Sequence, residues 1–155
     1  NASRGARQQA NIMLTLSGQD QIIEVASGIC YEIAYGDFLR RQAETSGLLL
    51  TISNDTWFGG SIGPHQHMQI AQMRALENGR WLLRATNNGV TGIVNHRGEI
   101  TAELPQFEAS VLRGEIEVMK GRTPYSKIGD IPVLFLLTVL LVITIRRRRW
   151  TIFSS

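Results

Sequence analysis

The sequence predicts an α/β fold, because β-prone segments alternate with helical ones along most of its 155 residues. A continuous apolar run over 48–53 is typical of a strand that is buried on both faces of a sheet. One amphipathic segment precedes this run and a longer one follows it. The hydrophobic content of 43% is enough for one sizeable core and not obviously for two.

The first third of the chain is expected to hold two strands and a helix. Residues 11–16 are β-prone, and a polar turn over 17–20 leads into a second strand that ends near Cys30. The segment 33–44 has the pattern of an amphipathic helix, and Gly47 marks its exit. Cys30 therefore lies where a strand gives way to a helix.

The middle of the chain is expected to continue the alternation. After the apolar strand and a loop over 54–60, a long helix is predicted over 65–78, because Pro64 suits a first helical turn and Gly79 a helix end. The apolar positions of this helix that we expect to face the core are Ile70, Met73 and Leu76.

Further strands are predicted over 81–86 and 92–95, with a turn at 87–89 between them. A hairpin turn over 96–99 then leads towards a last strand that begins near Ile100. Strands that alternate with helices in this way are typical of the α/β class.

The carboxyl-terminal region carries the strongest hydropathy signal. Residues 104–130 contain several prolines and glycines and are expected to form an extended arm. Residues 131–145 contain no charge and end at four arginines. At 1.5 Å per residue this run spans roughly 23 Å, so crossing a bilayer needs snorkelling arginines or local thinning. We predict a transmembrane helix over 131–146 and a cytoplasmic basic tail over 147–155.

The net charge of +3 comes from that arginine cluster. Without Arg146–Arg149, twelve basic residues face thirteen acidic ones. The basicity is therefore local, and the sequence does not predict nucleic-acid binding.

Cys30 is the only cysteine, so it cannot form an internal disulfide and is a poor basis for a structural zinc site. Because helix N-termini favour the thiolate, a cysteine at a strand-to-helix junction can be a nucleophile. The alternative is a buried cysteine that acts as a small hydrophobe. Glu32 either orients a partner beside this site or is a surface carboxylate of the first helical turn.

Residues at the end of the next strand form a second candidate group. Asn54 and Asp55 close that strand, and ligands bind at the carboxyl ends of strands in open α/β sheets. Trp57 and Phe58 either present an apolar wall to a substrate or cap the core.

The histidines and glycines predict neither a metal nor a cofactor. His65 and His67 are two residues apart, and on a helix such residues point in different directions. Gly59, Gly60 and Gly63 precede a helix but lack the lysine and the spacing of phosphate-binding loops.

Five blocks of sequence carry a family resemblance. They are Ile29-Cys30-Tyr31-Glu32-Ile33, Leu50-Thr51-Ile52-Ser53-Asn54-Asp55-Thr56-Trp57-Phe58-Gly59, Gly63-Pro64-His65-Gln66-His67, Arg74-Ala75-Leu76-Glu77 and Arg84-Ala85-Thr86-Asn87-Asn88-Gly89. In this order they strongly resemble the apolipoprotein N-acyltransferases, the membrane-bound branch of the nitrilase (carbon–nitrogen hydrolase) superfamily. The resemblance runs from about Ser3 to the arginines.

The resemblance implies that residues 1–122 are the carboxyl-terminal part of a four-layer αββα nitrilase domain, with a linker over 123–130. It also implies an enzyme of the bacterial inner membrane whose catalytic domain is periplasmic. Enzymes of this kind transfer an acyl chain from a phospholipid, through a cysteine thioester, to the N-terminal amine of a diacylglyceryl-cysteine apolipoprotein. Phospholipid, apolipoprotein and membrane are therefore the expected partners.

By the same resemblance, Cys30 is the nucleophile, the backbone N–H of Tyr31 stabilises the oxyanion, and Glu32 has a supporting role. The residues expected to bind substrate are Trp57, Phe58, Asn54 and Asn88.

The sequence departs from the family's Glu-Lys-Cys triad. No lysine precedes Lys120, and Glu24 is too close to Cys30 to stand in for the catalytic glutamate. We therefore expect a fragment that is inactive without the amino-terminal part of the same enzyme. Two alternatives stay open: a soluble nitrilase-type amidase or hydrolase, and a non-catalytic remnant of the fold.

Overall fold

The computed structural model describes residues 9–15 and 21–153, with side chains described up to Arg146. The turn predicted over 17–20 and the side chains of the basic tail over 147–155 lie outside the described residues.

A six-stranded mixed sheet forms the centre of the protein, and its strands follow each other in space in chain order. The strands are β1 (Ile12–Thr15), β2 (Ile22–Ile29), β3 (Leu48–Asn54), β4 (Trp81–Asn87), β5 (Thr91–Val94) and β6 (Ile100–Leu104). The three strands β2, β3 and β4 run parallel, whereas β1, β5 and β6 pair antiparallel with their neighbours. The prediction of an α/β fold is confirmed.

In the described part of the chain, two helices connect the parallel strands, as crossover connections require, and two more follow β6. They are α1 (Gly36–Gln42), α2 (Gly63–Asn78), α3 (Pro124–Ile128) and α4 (Ile131–Phe153). Two short 3₁₀ turns, Cys30–Ala34 and Thr56–Phe58, follow β2 and β3.

The helix predicted over 33–44 is in fact two elements. Tyr35 has extended backbone angles (φ −86°, ψ 91°) and separates the first 3₁₀ turn from α1. The next residue, Gly36, lies against the guanidinium of Arg74, which a β-carbon at this position would displace. The chain therefore breaks where it passes close to α2.

The prediction of which apolar residues of α2 face the core is confirmed for Ile70, which packs against it, and is wrong for Met73 and Leu76. Met73 and Leu76 are about half exposed, whereas Met68, Ala71 and Ala75 face the core. Small alanine side chains let a helix approach a sheet closely, so the side that carries them packs inward. The core between the helices and the sheet contains Ala26, Ile33, Leu39, Ala43, Leu49, Met68, Ala71, Ala75, Leu82, Val90 and Val94.

The other face of the sheet is only partly covered. Ile116 and Val118 lie on the arm that follows β6. They pack against this face of the sheet near the amino-terminal ends of the parallel strands. At the carboxyl-terminal end Ile29 and Ile52 are about half exposed. The described residues thus form one helical layer and one sheet layer, and their place as the carboxyl-terminal part of a four-layer αββα sandwich stays a prediction.

The structure does not support the transmembrane helix that the sequence predicts. The apolar segment is helical within α4, but among residues 9–15 and 21–153 no helix is both long and apolar enough to cross a membrane. The physical reason is the length of the uncharged run, because the fifteen residues 131–145 are followed directly by arginines. The prediction for 131–146 is therefore not supported.

Candidate functional site

Cys30 lies at the carboxyl end of β2 in an unusual backbone conformation. Its φ is +52°, in the left-handed region that residues other than glycine seldom adopt. Its side chain is partly exposed. Such a conformation costs roughly 1–2 kcal/mol and persists only where the surroundings hold it. The contacts around Cys30 are therefore the first place to look for function.

The side chain of Glu32 is hydrogen-bonded to the backbone just before Cys30. Its Oε2 accepts a hydrogen bond from the backbone N–H of Ile29, at 2.8 Å. The side chain is thus folded back over the end of β2, instead of extending into solvent. The geometry gives the carboxylate a structural contact one residue before Cys30.

The side chain of His67 contacts both the backbone of Cys30 and the side chain of Asp55. Its Nε2 lies 3.2 Å from the backbone carbonyl oxygen of Cys30, and its Nδ1 lies 3.0 Å from Oδ1 of Asp55. The side chain of His67 is only 5% exposed, and that of Asp55 is fully buried. A buried imidazole therefore connects the backbone of Cys30 to a buried carboxylate.

Asp55 is enclosed by further donors. The hydroxyl of Ser53 donates to Oδ1 at 2.6 Å, and Nη2 of Arg84 donates to Oδ2 at 2.7 Å. Arg84 also donates from Nε to the carbonyl oxygen of Val90, at 3.1 Å. These contacts, together with His67, form what we call the elbow network: Ser53, Asp55, His67 and Arg84.

Burial lowers the pKa of Arg84, and the neighbouring charge of Asp55, its hydrogen bond and, to a smaller degree, Cys30 oppose that change. A guanidinium is not deprotonated in proteins, so Arg84 remains a cation. The side chains of Arg84 and Asp55 are both fully buried. Each charge therefore depends on the other for compensation.

An open depression of about 510 Å³ lies beside Cys30, on the sheet face that the helices leave uncovered. Its lining is mostly apolar and consists of Ile29, Cys30, Ile52, Ser53, Asn54, Trp57, Ala85, Thr86 and Asn87. The side chain of Trp57 is 86% exposed at its edge. The depression can accept an apolar chain next to the thiol.

The structure separates the four residues expected to bind substrate into two groups. Trp57 and Asn54 line the depression beside Cys30. The ring of Phe58 instead packs against the backbone at Gly63, where α2 begins. Asn88 donates to the hydroxyl of Thr56, at 3.3 Å, and is not part of that lining.

Tyr31 begins the turn after Cys30. Its ring is 61% exposed and makes an edge-to-face contact with Tyr35, with 5.9 Å between the ring centres. Its backbone N–H belongs to the same peptide unit as the carbonyl of Cys30.

Sequence reasoning missed His67 and Arg84 as parts of this site. His67 was weighed only with His65 as a metal-binding pair, and the structure buries His67 but leaves His65 exposed. Arg84 was the sequence signal that could have revealed this site. A charged residue inside a strand that is expected to be buried requires a partner of opposite charge.

A family model described as "Carbon-nitrogen hydrolase" matches residues 7–123. The apolipoprotein N-acyltransferase of Pseudomonas paraeruginosa (strain PA7) is 53% identical over 126 residues, which are 81% of this chain and 25% of that protein. The corresponding protein of Azotobacter vinelandii is 54% identical over 125 residues, 81% of this chain and 24% of its own length.

The chain thus spans about a quarter of the length of these curated relatives. Among solved structures, Nit3 of Saccharomyces cerevisiae, a member of branch 10 of the nitrilase superfamily, is 21% identical. The match covers 56% of this chain and 35% of Nit3, with a TM-score of 0.47.

Proposed function

The chain belongs to the carbon–nitrogen hydrolase family, and on that premise we propose that it is the nucleophile-bearing part of an apolipoprotein N-acyltransferase. The reaction moves an acyl chain from a phospholipid, through a thioester on Cys30, to the N-terminal amine of a diacylglyceryl-cysteine apolipoprotein. The observation that carries the proposal is the left-handed Cys30 at the end of β2, in a chain that is 53% identical to such an enzyme.

In the first half-reaction, the thiolate of Cys30 attacks the ester carbonyl of the phospholipid. The tetrahedral intermediate expels the glycerol oxygen, which takes up a proton and leaves as a lysophospholipid. In the second half-reaction, the free amine attacks the thioester, an amide forms, and the thiol is released. A covalent intermediate divides one difficult transfer into two easier ones.

Three features support these roles. The N–H of Tyr31 is a suitable donor to the oxyanion, since it follows the nucleophile directly. The apolar depression lined by Ile52 and Trp57 suits the acyl chain. Glu32 supports the turn through its bond to Ile29 and need not act as the base.

The general base and the stabilising lysine have to come from elsewhere in the protein, because no lysine precedes Lys120 in this sequence. We assign residues 1–122 to the hydrolase domain and 123–130 to a linker. We place the reaction at the periplasmic face of the bacterial inner membrane, where the phospholipid donor and the lipoprotein acceptor meet.

Acyl-thioester trapping tests the proposal. The full-length protein that carries this sequence is incubated with vesicles of a phospholipid whose sn-1 chain is labelled, and the Cys30 peptide is analysed by mass spectrometry. We expect a label on Cys30 that neutral hydroxylamine removes, and none in Cys30→Ser. Absence of the label in the wild type, or its retention in Cys30→Ser, contradicts the proposal.

A further inference from the structure

We propose that His67 is a positioning residue of the nucleophile turn, and that it acts with both ring nitrogens protonated. Its Nε2–H donates to the carbonyl of Cys30 and thereby aims the N–H of Tyr31 at the reacting carbonyl. The proposal rests on the function proposed above for Cys30 and assigns a role to a residue outside the family's triad.

The protonation of His67 follows from its hydrogen-bond partners. A backbone carbonyl can only accept, so a hydrogen bond to Cys30 requires a proton on Nε2. On the other side, Asp55 receives donors from Ser53 and Arg84, as an ionised carboxylate does. A bond to that carboxylate requires a proton on Nδ1. Both bonds form together only in the imidazolium.

Either neutral tautomer leaves one contact without a proton. With the proton on Nδ1, a lone pair of Nε2 faces the lone pairs of the Cys30 carbonyl, 3.2 Å away. With the proton on Nε2, a lone pair of Nδ1 faces Asp55. Because His67 is 5% exposed, water cannot readily replace the lost bond, and leaving a buried polar group unsatisfied is unfavourable.

The charges around His67 are consistent with this state. Asp55 on the β3 side carries one negative charge, and Arg84 on β4 carries one positive charge. A protonated His67 on α2 gives the elbow network a net charge of +1 beneath Cys30. Glu32 places a further carboxylate at this turn, where it accepts a hydrogen bond from the backbone N–H of Ile29.

The effect on catalysis follows from peptide geometry. The carbonyl of Cys30 and the N–H of Tyr31 belong to one planar trans unit, in which the two groups point in opposite directions. A hydrogen bond that fixes the carbonyl towards His67 therefore fixes the N–H on the opposite side, away from α2. The left-handed φ of Cys30 is held by the same bond. His67 thus aims the oxyanion donor without contacting the substrate.

The test compares acylation of Cys30 with its alkylation in the full-length protein, for the wild type and His67→Ala. Acylation by the labelled phospholipid passes through an oxyanion, whereas alkylation by iodoacetamide does not. We expect His67→Ala to slow single-turnover acylation by about 10- to 100-fold, and to slow alkylation much less. The exposed neighbour provides the matched control, since His65→Ala should leave both rates unchanged.

Equal losses in the two rates, or an unchanged acylation rate, overturn the positioning role. If His67→Ala does not fold, His67→Gln takes its place, because a glutamine amide can donate to the carbonyl of Cys30 and should retain part of the acylation rate. The protonation state is read independently by ¹⁵N NMR of the histidine side chains at neutral pH. Two protonated nitrogens on His67 are expected, and a neutral ring overturns that part.

Failure of the proposed function gives a different result. A wild-type protein that forms no acyl thioester rejects phospholipid transfer. The NMR signals of His67 and the effect of His67→Ala on a small activated ester as acyl donor would still decide the role of His67.

Discussion

The backbone of Gly89 lies against the carboxylate of Asp55, so closely that a β-carbon on Gly89 would come 2.3 Å from Oδ2. The turn between β4 and β5 therefore forms one wall of the elbow network. We expect Gly89→Ala to displace Asp55 and to lower the free energy of unfolding by about 1–3 kcal/mol, as overpacking does in other proteins.

Chemical denaturation of the full-length protein measures this effect. Gly60→Ala is the matched control, because nothing lies within 4 Å of a β-carbon at that position. If Gly89→Ala and Gly60→Ala have the same free energy of unfolding, the contact between Gly89 and Asp55 does not affect stability.

The buried pair of Asp55 and Arg84 gives a second prediction. Arg84→Met removes the guanidinium that pairs with the buried carboxylate of Asp55, and breaking a buried pair costs about 3–5 kcal/mol. Arg97→Met, at an exposed position in the turn before β6, should change stability by less than about 0.5 kcal/mol.

A double-mutant cycle separates the pair from general packing. If the pair matters, Asp55→Asn combined with Arg84→Met should be less destabilising than the sum of the two single changes, because the double change removes both members of the pair, whereas each single change leaves one member without the other. Additive losses would contradict this prediction.

The fold was predictable where one physical signal dominated. The apolar run at 48–53 and the β-prone segment at 81–86 form the central strands β3 and β4, because each begins with three consecutive apolar residues, as is typical of buried parallel strands. The inward face of α2 was not predictable in the same way. There the close approach of alanines decided the packing, and a preference for large apolar residues gave the wrong answer for Leu76.

The elbow network was hidden for a different reason. Asp55, His67 and Arg84 are separated by 12 and 17 residues, and only the parallel register of β3 and β4 with α2 above them brings the three together. A sequence pattern states which residues are polar, but it does not state the rotation of a helix over a sheet. Cys30 could be singled out because its local motif was sufficient.

A third prediction concerns pH. Burial raises the pKa of Glu77 above its ordinary value of 4.5; Arg74 opposes this change, and Asp130 adds to it. Between 4.5 and the raised pKa, the folded protein binds more protons than the unfolded chain. The contribution of Glu77 to stability is therefore complete below pH 4.5 and is lost as the pH rises through the raised pKa.

Glu77→Gln should remove this part of the pH dependence, since glutamine does not ionise. Unfolding by denaturant is followed from about pH 4 upward. The wild type should lose stability relative to Glu77→Gln as the pH rises, and the exposed control Glu108→Gln should follow the wild type. A constant difference between the wild type and Glu77→Gln across this range would refute the assignment.

The last prediction separates two roles for Glu32. Its Oε2 accepts the N–H of Ile29 at 2.8 Å, which is a structural contact at the end of β2. The carbonyl oxygen of glutamine can accept the same bond, whereas alanine cannot. A positioning role therefore predicts that Glu32→Gln acylates Cys30 at a rate within about threefold of the wild type, and that Glu32→Ala is slower by about tenfold.

A role as general base predicts the opposite pattern, because neither glutamine nor alanine can take up the thiol proton. Both variants would then fail equally, and the limb of the pH–rate profile that reports the base would disappear in both. The two roles are distinguished by measuring single-turnover acylation of Cys30 for both variants across pH. If the acylation rate of Glu32→Gln falls to that of Glu32→Ala, the carboxylate of Glu32 has a chemical role. The hydrogen bond to Ile29 then serves only to position that carboxylate beside Cys30.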